Sequence, residues 1–197
     1  MKKGAILILL GGIMVTIAAI VWRNELKYSL PTPVPSNYKV IKTGVAIDLD
    51  ATLPHTGKKP RFLHFFNPDC PCSKFNMPHF RSLVQRYGNE VDFAIVVMSG
   101  KAFTEKEIQQ RFDLSVPVLF DSAIAASCGV YSTPQAVLLD GDRKLYYRGN
   151  YNKSRYCTDK KSNYAQMALE SLLHQQPISF DKYALTAYGC QLPTCNR

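Results

Sequence analysis

A cysteine placed where a strand turns into a helix constrains this chain more than any other feature. Residues 61–66 are rich in aromatic and aliphatic side chains and predict a β-strand, which Pro68 and Pro71 end. Apolar residues then recur with helical spacing up to Gly88, a common helix-stop residue. These apolar residues are Phe80, Leu83, Val84 and Tyr87. Cys70 therefore lies just before a helix N-terminus, where free backbone N–H groups and the helix dipole favour a thiolate.

The stretch around Cys70 resembles the thioredoxin superfamily, and within it the membrane-anchored thiol-disulfide oxidoreductases of the ResA and TlpA type. Those proteins carry a motif of the form F-W-A-x-W-C-x-x-C-x-x-E-M-P at a strand-to-helix junction. Residues 65–70 align with its start, and Met77 and Pro78 align with its M-P without a gap. The resemblance implies that Cys70 is the nucleophilic cysteine and places Ser73 where the family has its resolving cysteine.

The motif of this chain is thus C-x-x-S, and it holds an additional cysteine, Cys72. Cys72 can close a small Cys-x-Cys ring with Cys70; otherwise Cys70 acts alone and needs an external thiol. Lys74 adds a positive charge that supports a thiolate. Asp69 stands where the family has an aromatic residue, and its negative charge opposes the thiolate.

A second segment, residues 129–135 (GVYSTPQ), resembles a G-V-x-x-T-P segment of the thioredoxin family. The resemblance implies that Pro134 is a cis proline facing the active-site cysteine. It also implies that the backbone of Thr133 pairs with an incoming peptide strand. Without the family, Thr-Pro before a strand would be an ordinary turn.

The remaining pattern predicts an α/β domain. Further strands are predicted at 91–98, 116–120, 136–140 and 144–148, a weaker edge strand or hairpin within 38–49, and helices after the Thr104–Glu107 capping box, at 123–128 and at 163–175. This order is that of the thioredoxin fold, and the resemblance covers residues 38–176. It implies a thioredoxin-like fold, in which a central mixed sheet carries helices on both faces.

An uncharged apolar run at residues 5–22 follows Lys2 and Lys3. As a helix it would span about 27 Å, close to the hydrocarbon thickness of a bilayer. We predict a single transmembrane anchor over residues 1–23, and a cleavable signal peptide is the rival interpretation. The two lysines favour an N-terminus inside the cell, which places the domain on the periplasmic side of the inner membrane.

The chain after the anchor divides into three predicted parts. Alternating prolines predict a semi-rigid spacer at residues 24–37. The thioredoxin-like domain follows at 38–176, and a cysteine-containing C-terminal tail at 177–197 departs from the family.

The chain has six cysteines, and all of them follow the anchor, as expected in an oxidising compartment. Cys190 and Cys195 lie close together in the tail, and we predict that they form a structural disulfide with each other or that the tail is tied by a disulfide to Cys157. Cys128 precedes Pro134 on a predicted short helix, where a core position is the simple interpretation. The alternative is that Cys128 resolves a disulfide with Cys70 or Cys72.

These features favour thiol-disulfide exchange through Cys70, alone or with Cys72, on exported proteins that carry thiols or disulfides. Such an oxidoreductase needs no cofactor and no metal, and its redox partner is not identified by the sequence. The net charge of +9 is spread along the chain without an arginine-rich helix, which argues against nucleic-acid binding.

Two alternatives use the same fold. A peroxiredoxin-like peroxidase is one, although its P-x-x-x-T-x-x-C motif is not met here. The other is a copper-binding or non-catalytic protein, in which Cys70 and Cys72 hold Cu(I) with help from His79 or Met77.

Overall fold

The computed structural model describes residues 2–49, 52–53 and 57–192, and it divides into two compact units. The first unit, residues 1–31, consists of helix α1 (Lys2–Ser29), which continues beyond the predicted limit at residue 23. Its section Lys3–Leu26 is long and apolar enough to cross a membrane. A signal sequence would form the same kind of helix.

The second unit begins at Thr32 and is built on a five-stranded mixed sheet. In chain order its elements are β1 (Arg61–Phe66), α2 (Pro71–Tyr87), β2 (Asp92–Val97), α3 (Glu105–Phe112), β3 (Val118–Leu119), α4 (Ala123–Cys128), β4 (Ser132–Thr133), β5 (Gln135–Leu139), β6 (Leu145–Gly149), a 3-10 turn (Lys160–Ser162), α5 (Tyr164–Leu173), α6 (Lys182–Leu185) and β7 (Cys190–Gln191). The sheet order is β3-β2-β1-β5-β6, with β1, β2 and β3 parallel and β5 antiparallel to both β1 and β6. The thioredoxin-like order that the sequence predicts is confirmed.

Strand β1 lies at the centre of this sheet, and every one of its residues is buried. Phe62 and Phe66 contribute to one core cluster, together with side chains of α2, α3 and α5. Leu63 and Phe65 point to the opposite face and join a second cluster with side chains of α4. The sheet therefore carries helices on both faces, and the end of β1 delivers the chain directly into the loop that holds Cys70.

Several local predictions hold. The apolar stripe of α2 packs into the first cluster, Thr104 and Glu107 form the capping box of α3, and β5 and β6 form the predicted hairpin. The strand predicted at 116–120 shortens to β3, because Pro117 has no N–H to donate to a ladder. Residues 38–49, all described, form one isolated bridge between Ala46 and Lys144 instead of a strand.

The second unit extends on both sides of the predicted domain limits. Thr32, inside the predicted spacer, is buried and donates its backbone N–H to the carbonyl oxygen of Ala187 at 2.8 Å. Ala184 of α6 is fully buried in the first core cluster, and its carbonyl accepts a hydrogen bond from the N–H of Asn150. Residues on both sides of 38–176 thus pack as parts of the domain.

Candidate redox site

The loop that holds Cys70 is fixed by hydrogen bonds at its two ends. Asn67 accepts from the N–H of Asp69 through its side chain at 2.9 Å, and from the N–H of Cys70 through its carbonyl at 3.1 Å. The N–H of Asn67 in turn donates to the hydroxyl of Ser73, which is fully buried. Cys70 is the N-cap residue of α2, with extended backbone angles. The predicted position of Cys70 at a helix N-terminus is therefore the observed one.

The environment of Cys70 stabilises its thiolate. The pKa of Cys70 is lowered to about 6, first by the Cys72 thiol and then by polar groups of Ser73 and Cys72, while burial acts in the opposite direction. Sharing a hydrogen bond with the Cys70 sulfur raises the pKa of Cys72, and burial raises it further. At neutral pH, Cys70 is therefore the thiolate and Cys72 the protonated partner that donates to it.

Two charged neighbours of Cys70, Asp69 and Lys74, lie in different surroundings. The Asp69 carboxylate lies 2.9 Å from the Lys101 ammonium and 3.6 Å from the Arg111 guanidinium. These cations, Lys101 first, hold the pKa of Asp69 below its usual value, and they offset the charge expected to oppose the thiolate. The side chain of Lys74 is exposed.

The most consequential neighbour of Cys70 is a residue to which the sequence assigns only a structural role. The Sγ atoms of Cys70 and Cys190 lie 2.6 Å apart. Cys190 is already part of a disulfide, whereas Cys70 is not. Both side chains are shielded from solvent, at 0% and 2% exposed respectively. Because 120 residues separate them in the chain, no local spacing could reveal this contact.

The Thr133–Pro134 peptide bond is cis, as the family resemblance implies. The backbone of Thr133 also pairs with a peptide strand, but the strand belongs to this chain. Strands β4 and β7 run antiparallel, with Thr133 opposite Cys190 and Ser132 opposite Gln191. The cis proline segment and the C-terminal strand thus meet beside Cys70.

The other cysteines lie in different surroundings. Cys72 is free, so the Cys70–Cys72 ring is not formed. Cys128 is free and packs in the second core cluster, where burial raises its pKa to about 12. Cys157 is also free, so it does not hold the tail; its thiol donates to Asn76 Oδ1 at 2.7 Å, and burial raises its pKa to about 12. Cys195 lies outside the described residues.

The ligand set suggested for copper is not brought together. Met77 packs in the first core cluster, and the ring of His79 lies 5.9 Å from that of Tyr151. Across residues 2–49, 52–53 and 57–192, no group of three or more His, Cys, Asp or Glu side chains is arranged to hold a metal ion.

Comparison with known protein families assigns this chain to one of them. Residues 39–194 match a family described as a domain of unknown function, DUF6436. The chain belongs to the DUF6436 family. No curated protein matches it.

Solved structures similar to this DUF6436 member come from several bacteria. An uncharacterized conserved protein from Geobacillus kaustophilus has a TM-score of 0.61 and 20% identity, covering 83% of this chain and 97% of its own. A hypothetical protein from Sinorhizobium meliloti has a TM-score of 0.57 and 18% identity, and the match covers 69% of this chain and 80% of that protein. A thiol:disulfide interchange protein of the thioredoxin family from Chlorobium tepidum has a TM-score of 0.48 and 15% identity, covering 73% and 97%. At 18% and 20% identity, the likeness to the first two structures concerns the fold.

Proposed function

We propose that the domain exchanges thiols and disulfides through Cys70. The observation that carries the proposal is a sulfur with a lowered pKa at a helix N-terminus, in contact with one sulfur of a disulfide. The Cys70 thiolate attacks one sulfur of a substrate disulfide, a mixed disulfide forms, and the other substrate sulfur leaves as a thiolate.

Cys72 and Ser73 support this step without themselves exchanging. The Cys72 thiol and the polar groups of Ser73 stabilise the negative charge on Cys70 before the attack. Because Ser73 occupies the resolving position, the mixed disulfide must be resolved by a thiol from another part of the chain or from another molecule.

The location we propose follows from helix α1. An uncleaved α1 would hold the domain at the outer face of the inner membrane, where exported proteins with thiols or disulfides are the available substrates. The disulfide that includes Cys190 suits such an oxidising compartment.

The test uses the full-length chain in detergent, reduced glutathione as electron donor and a fluorescent peptide with one disulfide as substrate. Cys70→Ser should lower the rate of peptide reduction at least 100-fold. Cys128→Ala is the matched control, because Cys128 lies in the core, and it should retain the wild-type rate. Wild-type turnover in Cys70→Ser would refute the proposal, and turnover of hydrogen peroxide in place of the peptide would favour the peroxidase alternative.

A further inference from the structure

We infer that residues 189–192, here called the tail strand, occupy the place of a substrate peptide, and that Cys190 is the chain's own exchange partner for Cys70. This inference rests on the proposed thiol chemistry and adds a second catalytic cysteine to it.

The backbone of the tail strand is bound as an added strand. Cys190 lies opposite Thr133 and Gln191 opposite Ser132, in antiparallel register. The N–H of Leu192 continues the pairing by donating to the carbonyl oxygen of Tyr131 at 3.2 Å. Addition of a strand to an exposed edge is a common way for proteins to bind extended peptides. The edge that ends at Thr133 is therefore already filled by the chain itself.

Side chains elsewhere in the domain hold the tail strand in this position. The hydroxyl of Thr32 contacts the hydroxyl of Ser132 at 2.9 Å and donates to the carbonyl oxygen of Gly189 at 3.1 Å. Gly189 passes so close to β4 that a Cβ atom at this position would overlap the carbonyl oxygen of Thr133. The absence of a side chain at residue 189 is thus a requirement of the docked strand.

This placement brings the sulfur atoms of Cys70 and Cys190 into direct contact. Cys190 points into the same buried space as Cys70, with 2.6 Å between their Sγ atoms. The Cys70 side chain is completely shielded from solvent. An external disulfide can therefore reach Cys70 only after groups that cover it have moved, while Cys190 is in contact without any movement.

The exchange between Cys70 and the disulfide of Cys190 can take place within one chain. The Cys70 thiolate gives its electron pair to Cys190 Sγ, and a Cys70–Cys190 disulfide forms. The bond between Cys190 and its present partner breaks, and the partner sulfur leaves as a thiolate that takes a proton from water. One disulfide is present before and after, so no external oxidant or reductant is consumed.

The same pair resolves a substrate once an external thiol such as glutathione has reduced the disulfide of Cys190: two glutathione thiols become one glutathione disulfide, and Cys190 and its former partner become thiols. A Cys190 thiolate attacks the Cys70 sulfur of the mixed disulfide, the Cys70–Cys190 bond forms, and the substrate sulfur leaves as a thiolate. Cys190 thereby supplies the resolving cysteine that the position of Ser73 lacks.

Disulfide trapping in the full-length chain tests the inference. The tail cysteine that the sequence predicts as the partner of Cys190 is removed by Cys195→Ser, and the protein is equilibrated with oxidised glutathione, blocked with N-ethylmaleimide and digested without reduction. Mass spectrometry should show a peptide carrying Cys70 cross-linked to a peptide carrying Cys190 as the main product. Recovery of Cys70 joined to Cys72, or of unlinked Cys70 beside glutathionylated Cys190, would overturn the inference.

A second variant tests the coverage of Cys70 and leaves all six cysteines in place. Gly189→Ala should release the tail strand and raise the rate of Cys70 alkylation by iodoacetamide at least tenfold. Gly100→Ala is the control, because a Cβ atom there meets nothing within 4 Å, and it should react like the wild type. An unchanged rate in Gly189→Ala would show that the tail strand does not cover Cys70.

The outcomes separate the inference from the proposed function. If the peptide disulfide is reduced through Cys70 but no Cys70–Cys190 product is trapped, the inference fails and the proposed function stands. If the cross-link forms but no external disulfide is ever reduced, Cys190 remains the partner of Cys70 and the proposed action on other proteins fails.

Discussion

At the scale of single residues, the pKa of Cys70 depends most on Cys72. The Cys72 thiol is the largest of the contributions that lower the pKa of Cys70 to about 6. We expect Cys72→Ala to raise this pKa towards the ordinary value of a thiol, which decreases the thiolate fraction at neutral pH. The pH dependence of Cys70 alkylation, followed by mass spectrometry, measures the midpoint directly.

Cys72→Ser is the matched control for that experiment. Its hydroxyl still donates a hydrogen bond, so the midpoint should stay closer to that of the wild type. An identical midpoint in all three proteins would mean that Cys72 does not tune Cys70.

A buried histidine gives the domain a predictable dependence on pH. His64 is completely buried, its Nδ1 lies 2.6 Å from the hydroxyl of Tyr151, and burial lowers its pKa to about 3. The unfolded chain binds a proton at His64 from about pH 6.5 downwards, whereas the folded chain does not. The free energy of unfolding should therefore fall by about 2–3 kcal/mol from this residue alone between pH 7 and pH 4.5.

The double variant His64→Leu/Tyr151→Phe tests this dependence, because it removes the ring and the hydroxyl that faces it together. Urea unfolding at pH 7 and pH 4.5 should show a smaller difference than in the wild type, with Tyr151→Phe alone as the control. An undiminished difference would place the acid sensitivity in other groups.

Residue types and spacing were sufficient to predict some of the site but not all of it. The helical spacing predicted that Cys70 lies at a helix N-terminus, and the G-V-x-x-T-P segment predicted the cis bond before Pro134; the structure has both. The offsetting of the Asp69 charge and the approach of Cys190 depend on residues distant in the sequence. Local patterns do not encode such pairings.

At the scale of secondary structure, length decided which elements the sequence could predict. Strands β1 and β2 and helix α2 are long enough to show a period or a continuous apolar run. Strands β4 and β7 have two residues each, and their ladder exists only because the tail folds back onto the domain. The strand that brings Cys190 against Cys70 was therefore not predictable from the sequence.

The hydroxyl of Thr32 stabilises the pairing of β4 with β7, and substitution of Thr32 can test this. Thr32→Val removes the hydroxyl that contacts Ser132 and the Gly189 carbonyl, and a lost hydrogen bond costs about 1 kcal/mol. Hydrogen exchange of the amides at residues 187–192 should then be roughly fivefold faster, since exchange follows local opening.

Thr32→Ser keeps the hydroxyl and should exchange at the wild-type rate. If Thr32→Val and Thr32→Ser cannot be distinguished, the tail strand is held by its backbone pairing alone.

At the scale of the whole molecule, we expect membrane association to depend on the first unit and not on the second. The full-length chain should remain in the membrane pellet after extraction with alkaline carbonate, whereas a fragment of residues 32–197 should be soluble and keep Thr32 in place. Mass spectrometry of the N-terminal peptide checks the anchor. A mature N-terminus that begins after α1 would show that the helix is a cleaved signal.

Because β7 pairs with β4, any other peptide that binds the Thr133 edge must compete with the tail strand. Only a few residues join α6 to β7, so the tail strand meets the Thr133 edge at an effective concentration of about millimolar. A free peptide at micromolar concentration would displace it only rarely. Molecules that bind the domain through an additional contact would therefore reach Cys70 far more often than molecules that offer a single strand.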